Sequence, residues 1–151
     1  MATEILVNDG GAPARILPYT AEVALSAGQA VMASTTLANN VVLADSTVGK
    51  SILGFALTDS DAGTITSIIT GKGVILNVQA LPGTAGAALS IATAAAGQLG
   101  AAADPTVTQS GTTPFAVSAV SYFAPCAMTI KLLGEGSEAI GAAGLWRVQT
   151  L

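Results

Sequence analysis

The chain has 151 residues and a net charge of −4; 51% of it is hydrophobic, only 9% is charged, and it contains no histidine and one cysteine. That length suits one domain, or two small modules sharing a core. The composition excludes imidazole catalysis, the usual transition-metal ligand sets and an internal disulfide framework, and five scattered basic residues cannot neutralise a phosphate backbone.

In chain order, residues 1–20 read as an extended N-terminal arm. Gly10, Gly11, Pro13 and Pro18 oppose a helix there, and the apolar pieces Ile5-Leu6-Val7 and Ile16-Leu17 are expected to lie on another surface. Glu4 and Asp9, without a basic residue, do not make a signal-peptide start. A β domain over 21–133 follows. Its first half is a series of β-branched runs: Ala30-Val31-Met32, Val41-Val42-Leu43, Ile52 to Leu57, Ile65 to Ile69 and Val74 to Val78. Turn residues separate them at Ser26-Ala27-Gly28, Asn39-Asn40, Asp45-Ser46, Asp59 to Gly63 and Gly71-Lys72-Gly73.

The second half echoes the first, which predicts pseudo-repeats over 21–80 and 81–133. Gly28 to Val31 matches Gly86 to Leu89, and Asn39 to Asp45 matches Gly97 to Asp104. Further on, Gly54 to Leu57 matches Pro114 to Val117, and Thr64 to Ile69 matches Ala127 to Leu132. The alanine-rich stretch Ile91 to Leu99 leaves room for a short helical turn. A glycine-rich tail occupies 134–151; if its end is extended, Trp146, Val148 and Thr150 share one face. The fold expected is therefore all-β: a compact sandwich or barrel-like protomer, built from two duplicated small β modules, with an extended arm.

No motif for catalysis, cofactor or metal survives inspection. Gly71-Lys72-Gly73 lacks both the earlier glycine and the following Ser or Thr of a phosphate loop. Asp59-Ser60-Asp61-Ala62-Gly63 has too few oxygen ligands for a calcium loop and reads as a turn. Gly134 to Ala139 has the glycine spacing of a dinucleotide loop but too little chain after it. Cys126 has no histidine to activate it and reads as a small buried hydrophobe. The uncharged runs 73–103 and 105–130 are broken by Pro82, Gly97, Pro114 and Pro125, so no membrane span is expected. Trp146 beside Arg147 is either the closure of the domain's own core or an interface anchor. An alanine-rich core buries little apolar area per residue, which predicts self-association.

The order Ala27-Gly28-Gln29-Ala30-Val31, then Gly54-Phe55-Ala56-Leu57-Thr58-Asp59, then Gly63, a β run and Gly71-Lys72-Gly73-Val74, resembles the head decoration (cement) proteins of tailed bacteriophages. Gly10 to Ile16 is similar to the arm of those proteins, and the likeness covers residues 8–104. The resemblance implies a non-enzymatic homotrimer on the outer surface of the virion's capsid. There it would stabilise contacts between major capsid proteins, with no nucleic acid or membrane as direct partner. The alternative is another phage structural or surface-adhesive β module, from a tail or fibre. The residues' own character, rather than the resemblance, selects Ile5, Leu6, Arg15, Ile16 and Tyr19 in the arm and Leu145, Trp146 and Arg147 in the tail as capsid or subunit contacts.

Overall fold

The computed structural model describes residues 5–6, 11–45, 52–84, 88–92, 95–102, 106–110, 116–121, 126–129, 139–140 and 144–151. Among these the chain is all-β, without a helix. The first barrel comprises β1 (Arg15–Ala21), β2 (Ala30–Ala33), β3 (Asn40–Leu43), β4 (Gly54–Ala56) and β5 (Ile65–Thr70), closed in the order β1-β3-β2-β4-β5. The second comprises β6 (Ile75–Ala80), β8 (Ala88–Ile91), β9 (Leu99–Ala101), β12 (Ala127–Thr129) and β14 (Gly144–Thr150), in the order β12-β14-β6-β9-β8. Two small antiparallel sheets accompany them: β7 (Gly83–Thr84) with β13 (Ala139–Ile140), and β10 (Thr106–Ser110) with β11 (Ala116–Ser121).

The two barrels have the same strand pairing. β1 lies parallel to β3 at its C-terminal end and antiparallel to β5, as β6 does to β9 and β14. β2 lies between β3 and β4 as β8 does between β9 and β12. Register makes the correspondence residue by residue. Leu17 opposite Ile68 matches Leu76 opposite Val148, and Tyr19 opposite Thr66 matches Val78 opposite Trp146. The backbone bond from Ala44 N to Ala30 O has its counterpart from Ala102 N to Ala88 O, each 2.9 Å. Asn39 and Gly97 turn the chain at matching positions with φ of 59° and 76°, a region that asparagine and glycine tolerate best. Inside each barrel one large ring is offset by a smaller partner, Tyr19 against Thr66 and Trp146 against Val78. The cross-strand volume is thus kept while the sequence changes.

These strands displace three expected boundaries. β1 begins at Arg15, so the arm does not run to residue 20, and β14 takes Gly144–Thr150 out of the glycine-rich tail. The duplicated units run from β1 to β5 and from β6 to β14 rather than over 21–80 and 81–133. Where both copies are described, the early matches agree with the strand pairing, Val31 with Leu89 and Asn39 with Gly97, but Gly54 corresponds to Ala127 and Ile68 to Val148. The sheet β10-β11 occupies the connection between β9 and β12 and shifts everything after it. In the stretch Ile91 to Leu99 the ends belong to β8 and β9, and between them the described residues 95–98 make a turn closed by Gln98 N on Ala95 O at 3.3 Å.

One hydrophobic cluster fills the first barrel, built from Ala21, Leu25, Val31, Val41, Ala56 and Ile68. The larger cluster fills the second barrel and continues across the seam to Ala27, Ala30, Ala44, Phe55 and Ile69. Toward its C-terminal end β5 therefore buries both faces, Ile68 inward and Ile69 toward the other barrel, which is why two apolar residues stand side by side there. Backbone hydrogen bonds cross the seam from Gln79 N to Gly28 O (2.8 Å), from Ala30 N to Gly97 O (2.8 Å) and from Gly97 N to Ala44 O (2.9 Å).

Candidate interaction surfaces

The N-terminal segment docks on its own chain. β6 reaches β9 only at Ala80, so the N-terminal half of β6 would be an open edge. Ile5 and Leu6 occupy it: Asn77 N donates to Ile5 O at 2.6 Å, and Leu6 bridges Leu76 in antiparallel fashion. Ile5 is fully buried in the larger cluster, and Leu6 packs partly buried against it. Farther along, Ala12 N bonds Gly73 O at 2.8 Å. Ile5 is thus a core residue of the second barrel rather than a surface contact. An apolar arm gains more from an adjacent unfilled edge than from solvent.

Arg15, Ile16 and Tyr19 lie on β1. Arg15 is exposed, Ile16 is 49% exposed, and Tyr19 is half-buried against the first barrel's core. Directly paired residues share a face, so Ile16, Pro18 and Thr20 present one outward surface with Ile69, Ser67 and Ile65 of β5. The second barrel covers this surface at Ile69, whereas Ile65, at the other end, is 78% exposed.

The tail residues divide by strand alternation. Trp146 is 2% exposed and belongs to the second barrel's core, which decides between its two readings: it closes the domain's own interior. Its Nε1 has no acceptor among the described residues. Leu145 and Arg147 point outward from β14, with Leu145 38% exposed and Arg147 half-buried. Gly28, at φ +81°, sits on Leu145; a Cβ there would come within 2.6 Å of Leu145 Cδ2 and 3.1 Å of Asn77 O. The seam therefore requires glycine at this turn for both conformation and clearance.

A half-open recess of about 260 Å³ lies at the junction, walled by Leu53, Phe55, Ile69, Val74, Leu76 and Cys126. Cys126 Sγ donates to Leu89 O at 3.5 Å, and burial pushes its thiol up from 9.0 to about 11. The thiolate is the nucleophile, so two pKa units leave about a hundredfold less of it near neutral pH than an ordinary thiol has. Alkylation by iodoacetamide at pH 7.5 should be slower than that of the unfolded protein by about that factor, and should accelerate as pH rises toward 11. The same shift links to stability. The folded state holds its proton more tightly than the unfolded one, so this contribution is complete below pH 9 and is lost as pH rises through 11.

Asp59 closes a turn, its Oδ1 accepting Ala27 N at 2.8 Å. Among the described residues no three acidic or thiol side chains gather to hold a metal ion. Residues 134–138, which carry the glycine spacing of a dinucleotide loop, lie outside the described residues. The exposed apolar residues that sequence reasoning did not select as individual contacts are Leu17, Val23, Leu37, Ile65 and Leu151 among the described residues. For Leu17 and Ile65 a signal was present: two consecutive branched residues, Ile16-Leu17, cannot both point into one barrel, and Ile65 directly follows a turn. No protein-family model matches the chain, and no curated protein matches its sequence.

Proposed function

We propose that the protein is a structural virion component: a homotrimeric capsid decoration protein. It sits on the outside of a phage head and stabilises contacts between neighbouring major capsid proteins. The capsid part of this reading rests on the resemblance in the turn-and-strand motifs between Gly10 and Val74. One observation supports the assembly part. Leu145 and Ile65 are equivalent outward residues of the two barrels, and Leu145 is covered in part by the Gly28 turn of the preceding barrel. Among the described residues Ile65 has no such neighbour, and it is 78% exposed. A second copy placed against the first barrel as the first barrel stands against the second would cover it. Contacts of that head-to-tail kind close into rings when the rotation permits. The work of such a trimer is mechanical: three weak contacts act together on the shell beneath.

Sedimentation at micromolar concentration tests the assembly. The wild type should run as three subunits. Ile65→Glu, at a site with almost no packing to lose, should dissociate the trimer without lowering the melting temperature of the protomer. Occupancy on expanded heads of the cognate phage should fall at least tenfold with it, because avidity is lost. A monomeric wild type, or unchanged assembly and head binding in the variant, overturns this reading. Tubes or fibres of pure protein would favour a tail or fibre component instead.

A further inference from the structure

We infer that the open edge of β1 is an acceptor groove for an extended apolar strand of a partner protein. The two barrels make the case by comparison. In the second, the N-terminal half of β6 is completed by Ile5-Leu6, and Leu76 is fully buried. In the first, Leu17 is the equivalent of Leu76, since each stands opposite matching residues of β5 and β14. β1 meets β3 only at Thr20 and Ala21, and among the described residues no strand lies beside Arg15–Tyr19 on that side. Leu17 is accordingly 37% exposed and Ile16 49%. One barrel's slot is filled, and among the described residues its duplicate's is not.

The chemistry of the occupant follows from register. Thr20 N bonds Asn39 O on the β3 side, and strand alternation places the backbone groups of Ile16 and Pro18 on that same side. Ile16 N–H, Ile16 C=O and Pro18 C=O are therefore offered to an incoming antiparallel strand. Pro18 has no donor where Asn77 gives one to Ile5, so three of the four backbone groups of Ile16 and Pro18 can pair. Proline at an edge also suppresses indiscriminate pairing, leaving a groove that depends on side chains for affinity. The occupant is thus an extended segment with a bulky branched residue opposite Leu17, docking by strand addition. It comes from another protein rather than from a second copy's Ile5-Leu6, because that segment already fills the β6 slot of its own chain.

The resident segment is the natural probe. A synthetic peptide of residues 2–9 is titrated into the intact protein, and amide hydrogen exchange is read residue by residue. Slowed exchange at Ile16, with Asn77 unchanged, is the expected result. The effect should fall at least tenfold with Leu17→Lys, and equally with a peptide whose positions 5 and 6 are lysine, a control that cannot misfold the protein. No protection at Ile16, protection there before peptide is added, or displacement of the resident arm from Asn77 each overturns the inference. Trimer formation and head occupancy are measured separately, so failure here leaves the assembly reading intact.

Discussion

Trp146→Ala should lower stability by about 3–5 kcal/mol, the range for removing a buried aromatic ring from a packed core. Trp146 is 2% exposed and stands opposite Val78, which cannot expand to fill the space. For a chain of this length each kcal/mol moves the midpoint by about 2–4 °C, so a fall of about 6–20 °C is expected in a thermal melt. Trp146→Phe should cost distinctly less. It keeps most of the ring and also removes an indole N–H that has no acceptor among the described residues, a group that itself destabilises the core when left unpaired. If Trp146→Ala melted like the wild type and only weakened association, the tryptophan would be an interface anchor after all.

Ile5→Ala is the second large effect, expected at about 2 kcal/mol or more because the side chain is fully buried among the second barrel's core residues. This loss has a ceiling. The segment can undock without unfolding either barrel, so Ile5→Asp should be no worse than removing residues 1–6 outright. A plateau shared by those variants in denaturant titrations identifies docking in cis. The undocked protein should also aggregate more readily, because Leu76 and Asn77 would then lie on an exposed, unpaired strand edge. A neutral Ile5→Ala would mean that the segment does not contribute to the barrel in solution.

Much of the architecture was legible because barrels of this kind depend on local rules. Turn residues at Gly28, Asn39, Gly63 and Gly71 to Gly73, with β-branched runs between them, mark β2 to β6 nearly to the residue. The duplication was visible where both copies keep the same spacing, through Gly28 to Val31 and Asn39 to Asp45. It was lost where β10 and β11 intervene, since short apolar matches carry no memory of an inserted sheet. The candidate contacts were harder to read. Strand alternation correctly separated Trp146 from Leu145 and Arg147, but hydrophobicity alone does not say whether an apolar residue faces its own core or a neighbour's. Ile5 and Trp146 face inward, while Ile16 and Ile65 remain open, and only the pairing of strands distinguishes them. Leu17 became informative through its duplicate, Leu76, a comparison that rests on strand register.

The seam carries a consequence for how the molecule transmits load. Residues 28–30 of one half bond to Gln79 and Gly97 of the other, and Gly97 bonds back to Ala44. The halves are stitched through main chain as well as packed side chains, leaving no swivel between them. A pull on either half is passed on by stretching peptide hydrogen bonds, so the pair should behave as one stiff plate that yields all at once rather than by stages.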